Sequence, residues 1–108
     1  MATEGEQSSG FPEATLSSLP SRMQEAAARA GWTNLMPVQA RAIPYMLAGK
    51  DIMVQSRTGS GKTGAFVLPT INRIKTDQVS CQALVLVPTR ELARQVAAEA
   101  ELLCGESG

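Results

Sequence analysis

With 108 residues, 44% of them apolar, the chain has material for one small domain at most and is too apolar to be disordered throughout. Ten basic and ten acidic residues cancel to a formal net charge of zero, which excludes a protein that coats polyanions by bulk charge; any contact with nucleic acid must be local. No apolar run reaches membrane-spanning length, the first ten residues lack a basic-then-apolar leader, and the absence of histidine removes His triads and His metal sites.

Residues 1–10 are polar and read as a mobile tail, which we extend to residue 18 as the first segment of the chain. Phe11-Pro12 interrupts it. Leu19-Pro20 opens a helix, with Met23, Ala26, Ala27 and Ala30 at helical spacing and Gly31 placed to end it. Trp32 to Met36 connect to a second helix from Pro37 to about Leu47, closed by Gly49. Pro44 lies inside that helix, where it must kink it or free the carbonyl of Ala40. Ile52-Met53-Val54 reads as a buried strand within 51–55, and a third helix runs from Lys62 to about Arg73 with Pro69 inside it. Thr76 to Gln82 form a polar link. Ala83 to Val87 are a continuous apolar run, the signature of a parallel strand covered on both faces, and Pro88 ends it. Thr89 can cap a last helix with Glu91 near its positive end and Leu92, Val96 and Leu103 along one stripe, and Gly105 to Gly108 stop it. Cys81 and Cys104 have neither metal-ligand spacing nor a disulfide framework, and we read them as reduced thiols of a cytoplasmic protein.

Strand alternating with helix over short links predicts an α/β fold with a parallel sheet. Only two strands are legible, and two parallel strands bury too little to stand alone, so residues 19–108 read as the front part of a larger domain.

The chemistry concentrates at Ser56-Arg57-Thr58-Gly59-Ser60-Gly61-Lys62-Thr63, between the first strand and the third helix. That context is the one in which a glycine-containing loop binds phosphate. Gly59 and Gly61 allow positive φ, so backbone N–H groups can approach a polyphosphate, and the helix that follows adds its free N–H groups and dipole. Lys62 supplies a cation for the β- and γ-phosphates, and the Thr63 hydroxyl is suited to Mg²⁺. Ser56 stands where the strict pattern has glycine; a small residue still fits a tight strand exit. The bland alternative is a Gly-Ser turn with a surface lysine.

Three separated segments resemble DEAD-box RNA helicases. Gly31-Trp32-Thr33-Asn34-Leu35-Met36-Pro37-Val38-Gln39 is similar to their Q motif, Ser56 to Thr63 to motif I with Ser56 where alanine is usual, and Pro88-Thr89-Arg90-Glu91-Leu92-Ala93-Arg94-Gln95 to motif Ia. The resemblance covers the chain from about Leu19 to its end and implies part of a RecA-like P-loop NTPase domain, parallel strands flanked by helices, that uses ATP and Mg²⁺. It implies that Gln39 both donates to and accepts from the adenine edge, selecting ATP over GTP. It also implies that Trp32 stacks beside the base, against the alternative of a packing anchor, and that Ser56, Thr58, Gly59, Ser60, Gly61, Lys62 and Thr63 hold the phosphates. By the family's usual spacing its upstream aromatic falls at Ala14, three residues after Phe11, which either reaches the base or tacks down the tail. Thr89 and Arg90 resemble residues that contact RNA phosphates in a sequence-tolerant way; Thr89 can equally be only a cap, and Arg90 can pair with Glu91 or Glu99.

After Gln95 the sequence has no D-E-A-D stretch, no later helicase motif and no second RecA-like domain. Phosphoryl transfer needs metal, positioned water and arginine together, so the 108-residue chain alone is expected to bind nucleotide weakly and to hydrolyse almost none. The function implied is ATP-dependent unwinding of short RNA duplexes by the whole enzyme. Two other readings stay open: a P-loop ATPase without helicase action, or a short non-catalytic protein that holds RNA or competes with a complete helicase.

Overall fold

Apolar spacing and helix-ending glycines produce four helices in the computed structural model, which describes residues 10–55 and 61–105. They are α1 (Ser21–Arg29), α2 (Pro37–Leu47), α3 (Lys62–Arg73) and α4 (Arg90–Cys104), preceded by a short 3-10 turn at Leu16–Ser18. Of the residues expected to be a tail, 1–9 lie outside the described set, and 10–18 lie against the helices. Residues 56–60 and 106–108 also lie outside it.

The centre of the molecule is α3, which packs against α1, α2 and α4. Leu19, Met23, Ala26, Ile43, Val67, Leu68, Ile71 and Leu103 make one buried cluster, with Trp32, Leu35, Leu47 and Phe66 packed on its margin. Each large apolar side chain closed off in this way contributes about 1.5–3 kcal/mol. Met23, Ala26 and Ala27 are the buried face of α1, as their spacing predicts. Pro20, expected in the first turn, is instead the capping residue, and the N–H groups of Met23 and Gln24 both donate to its carbonyl.

How α1 ends decides where Trp32 goes. Gly31 has φ +76°, the Gly31 N–H donates to the Ala28 carbonyl and the Trp32 N–H donates to the Ala27 carbonyl, both at 3.0 Å. This is a Schellman ending, and it turns the residue after the glycine back toward the helix it has left. The last turn of α2 closes with the same pair of bonds, from Gly49 to Met46 and from Lys50 to Tyr45. Pro44 acts as the sequence requires: it has no N–H for the Ala40 carbonyl, and the Ala14 N–H takes that acceptor at 2.8 Å. Phe11 joins the same strap, its ring centroid 4.9 Å from that of Tyr45 and its N–H donating to the Tyr45 hydroxyl. Of the two readings for Phe11, the one that tacks down the N-terminal segment describes this contact.

The two expected strands are the main difference from the sequence reading. Residues 51–55 and 83–87 are neither helical nor in any ladder among the described residues. Leu84 and Leu86 are 77% and 84% exposed, where a strand covered on both faces would bury them. The reason is pairing: a parallel strand is made by neighbours on its two hydrogen-bonding edges, and no described residue supplies them. The stripe expected along α4 is likewise buried only at its C-terminal end. Leu103 is fully enclosed, while Leu92 is exposed.

Candidate nucleotide site

The first turn of α3 carries the residues that the sequence singles out most strongly. Gly61 caps it with φ +90°, and Lys62 and Thr63 open the helix. Ser56, Thr58, Gly59 and Ser60, expected to cradle phosphate, lie outside the described residues. Lys62 is exposed and Thr63 half-buried. The first N–H groups of a helix have no intrahelical acceptor, so the turn that presents Lys62 also presents unpaired donors and the positive end of the helix dipole. An anion is the ligand that suits this end of α3.

Gln39 reaches the same turn from α2. It is buried, 3% exposed, and so is not a solvated residue of the helix surface. Its Oε1 accepts from the Met36 N–H at 2.9 Å and so caps α2, while its Nε2 donates to the Gly61 carbonyl at 3.2 Å. Two residues in α2 and at the mouth of α3, 22 positions apart in sequence, are thereby joined. A primary amide has two N–H donors and two acceptor lone pairs. Among the described residues Gln39 uses one of each in these two bonds.

Trp32 also closes on α3. A Cβ placed on Gly64 would lie 2.5 Å from Trp32 Cη2, 2.9 Å from Trp32 Cζ2 and 2.8 Å from Gln39 Nε2. The indole therefore rests against the backbone of the turn that follows Lys62 and Thr63, and this contact gives Trp32 the packing role that was one of its two readings. Met36 belongs to the same cluster: a Cβ on Gly61 would lie 2.7 Å from its sulfur. Sequence reasoning passed over Met36 and Gly64. The available signal was Gly64 itself, a helix-weakening residue placed at the start of a helix, which points to a close approach by something else.

Thr89 caps α4, its hydroxyl accepting from the Leu92 N–H at 3.1 Å. Beside it Arg90 is exposed, and among the described residues it forms no ion pair with Glu91 or Glu99. The far end of α4 is held by Arg29, whose Nε and Nη2 both donate to the Leu103 carbonyl, at 3.1 and 2.8 Å.

For a metal the protein offers little here. Among the described residues no group of three or more Cys, Asp or Glu side chains could hold an ion, and at the mouth of α3 the Thr63 hydroxyl is the donor that fits Mg²⁺. Mg²⁺ keeps several waters and takes the rest of its ligands from substrate phosphates, so one hydroxyl is compatible with it. No helix among the described residues is long and apolar enough to cross a membrane.

Comparison with known proteins points to one family. The family model described as DEAD/DEAH box helicase matches residues 36–108. The chain is 51% identical over 85 residues to the ATP-dependent RNA helicase DbpA of Escherichia coli, covering 79% of this chain and 19% of DbpA. It is 51% identical over 67 residues to the DEAD-box ATP-dependent RNA helicase CshA of Streptococcus pneumoniae, covering 62% of this chain and 13% of CshA. Among solved structures it resembles the RNA helicase Prp28 from Chaetomium thermophilum bound to ADP, with a TM-score of 0.71 and 38% identity over 83% of this chain and 23% of Prp28. A hypothetical ATP-dependent RNA helicase from Sulfolobus tokodaii gives a TM-score of 0.69 and 35% identity, covering 82% of this chain and 25% of that one. The chain thus spans about a fifth or less of the length of these curated relatives.

Proposed function

This chain belongs to the DEAD/DEAH box helicase family, and from that premise we propose that it is the ATP-binding front part of an RNA helicase that couples ATP binding and hydrolysis to local unwinding of RNA duplexes. The observation that carries the proposal is the bond from Gln39 to the Gly61 carbonyl, which sets an amide with spare donor and acceptor capacity at the mouth of the helix that Lys62 opens.

In this reading Gln39 recognises adenine, and the loop of Ser56, Thr58, Gly59, Ser60 and Gly61 wraps the phosphates. Lys62 balances the charge of the β- and γ-phosphates, and the Thr63 hydroxyl is a ligand to Mg²⁺, which would neutralise phosphate charge when bound. Trp32, its ring edge against Gly64, serves as the packing wall of the site. Thr89 and Arg90 hold RNA phosphates at the start of α4, a helix N-terminus with a free guanidinium beside it. Contacts of that kind read the backbone and tolerate sequence. The runs at 51–55 and 83–87 become parallel strands of a RecA-like sheet when adjoining strands are present, and the setting is cytoplasmic.

The test is nucleotide selectivity and RNA dependence together. The protein as its gene encodes it should prefer ATP to GTP and turn ATP over faster with RNA. ATP turnover indifferent to RNA would identify a P-loop ATPase without helicase action, and no nucleotide binding would leave a protein that only holds RNA.

A further inference from the structure

The Gln39 amide can hold one orientation only if its neighbours do, and the tightest of those neighbours is a residue with no side chain. Gly64 is buried in the first turn of α3, where a Cβ would meet the Trp32 indole at 2.5 Å and the Gln39 Nε2 at 2.8 Å. Real Cβ atoms essentially never come within 3.0 Å of a heavy atom of a residue elsewhere in the chain, so any larger residue would have to move the indole, the amide or both. The indole is a rigid plane whose origin is fixed by the backbone bond from Trp32 to Ala27. The amide is the softer of the two groups, and it is the one bonded to the Gly61 carbonyl.

We propose that Gly64 and Trp32 are a size-matched positioning pair: the missing Cβ at 64 lets the indole edge and the Gln39 amide close together over the first turn of α3, and that closure sets the direction in which Gln39 offers its remaining donor and acceptor to a purine. Neither residue needs to touch the nucleotide for this. Trp32 acts as the wall that stops the amide from swinging out, and Gly64 as the gap that lets it in. The inference rests on the adenine role of Gln39 and adds two residues that control it. Helix propensity alone gives a different expectation, a higher melting temperature for an alanine on an open helix face and no change in nucleotide preference.

The experiment measures ATP and GTP affinity and the melting temperature for four variants of the protein as its gene encodes it: Gly64→Ala, Trp32→Phe, Trp32→Phe/Gly64→Ala and Gln39→Ala. Gly64→Ala should lower the ATP-over-GTP preference by roughly tenfold, the loss of about one well-directed hydrogen bond. Trp32→Phe/Gly64→Ala, in which the smaller ring vacates the space that the new methyl fills, should recover most of that preference. A Gly64→Ala protein that keeps the preference, whatever its melting temperature, overturns the pairing. So does a double variant as unselective as Gly64→Ala, or one that fails to fold where Gly64→Ala also fails. Gln39→Ala separates this from the underlying reading. If it leaves the ATP preference intact, adenine recognition by Gln39 is wrong and the pairing falls with it; if it abolishes the preference while Gly64→Ala does not, only the pairing falls.

Discussion

The N–H of Ala14 donates to the carbonyl of Ala40 at 2.8 Å, and Ala40 is the residue whose helical partner Pro44 cannot be. A proline inside α2 thus creates an acceptor, and the N-terminal segment fills it. Around that bond the strap gains the Phe11–Tyr45 contact and an ion pair at 3.4 Å between Glu13 and Arg41. The pair is exposed and contributes little, about 0.2–1 kcal/mol at most.

Pro44→Ala restores an N–H that competes for the Ala40 carbonyl. The expected outcome is faster hydrogen exchange at Ala14 and, because a proline interior to a helix costs up to about 3 kcal/mol, no loss of global stability. Unchanged protection at Ala14, read by exchange NMR or mass spectrometry, would show that the strap is held by something else.

Truncating the clamp at the other end should loosen α4. Arg29→Ala removes two charge-assisted bonds to the Leu103 carbonyl and should destabilise the protein by about 1.5–3 kcal/mol. Protection should fall first at Cys104 and Gly105. Denaturant titration of the variant beside the parent protein measures it.

Gln39→Ala leaves the Met36 N–H and the Gly61 carbonyl without their side-chain partner in a part-buried place. A cost of about 2 kcal/mol in unfolding free energy is expected, together with the loss of adenine preference. Lys62→Ala offers the contrast. Lys62 is exposed, so stability should hold while ATP affinity drops roughly 10- to 100-fold, the weight of a charge-assisted phosphate contact. Calorimetry with ATP on both variants checks the pair.

Arg90→Ala should weaken RNA binding by a similar amount for every RNA sequence and reduce the slope of log affinity against log salt by roughly one. Affinities measured at several salt concentrations on two unrelated RNAs decide it. An effect confined to one RNA would place Arg90 against bases instead.

Leu84 and Leu86, both largely exposed, belong to a run with no ladder partner among the described residues. Such segments pair with one another between molecules. Leu84→Lys/Leu86→Lys should therefore raise the soluble fraction of the 108-residue polypeptide, compared after centrifugation at equal expression.

The helices were legible because local rules decide them. Pro37 and Gly49 bracket α2, Gly31 closes α1, Thr89 caps α4, and each acts within a turn of itself. Strands are not decided locally, and the apolar run 83–87 has the composition of one without a neighbour to make it one. At the site, the resemblance implied that Gln39 and Lys62 serve one nucleotide, but the sequence could not show that the amide binds the Gly61 carbonyl, a contact set by how α2 and α3 cross. Trp32 had two readings for the same reason, since an aromatic after a helix-ending glycine packs on whatever the tertiary fold brings there.

One consequence follows from the seat of that indole. The sequence contains a single tryptophan, and its ring edge touches the turn directly after Lys62 and Thr63. The polypeptide carries its own optical dye at the doorway of α3, so a shift in its emission reports a rearrangement there without any label attached.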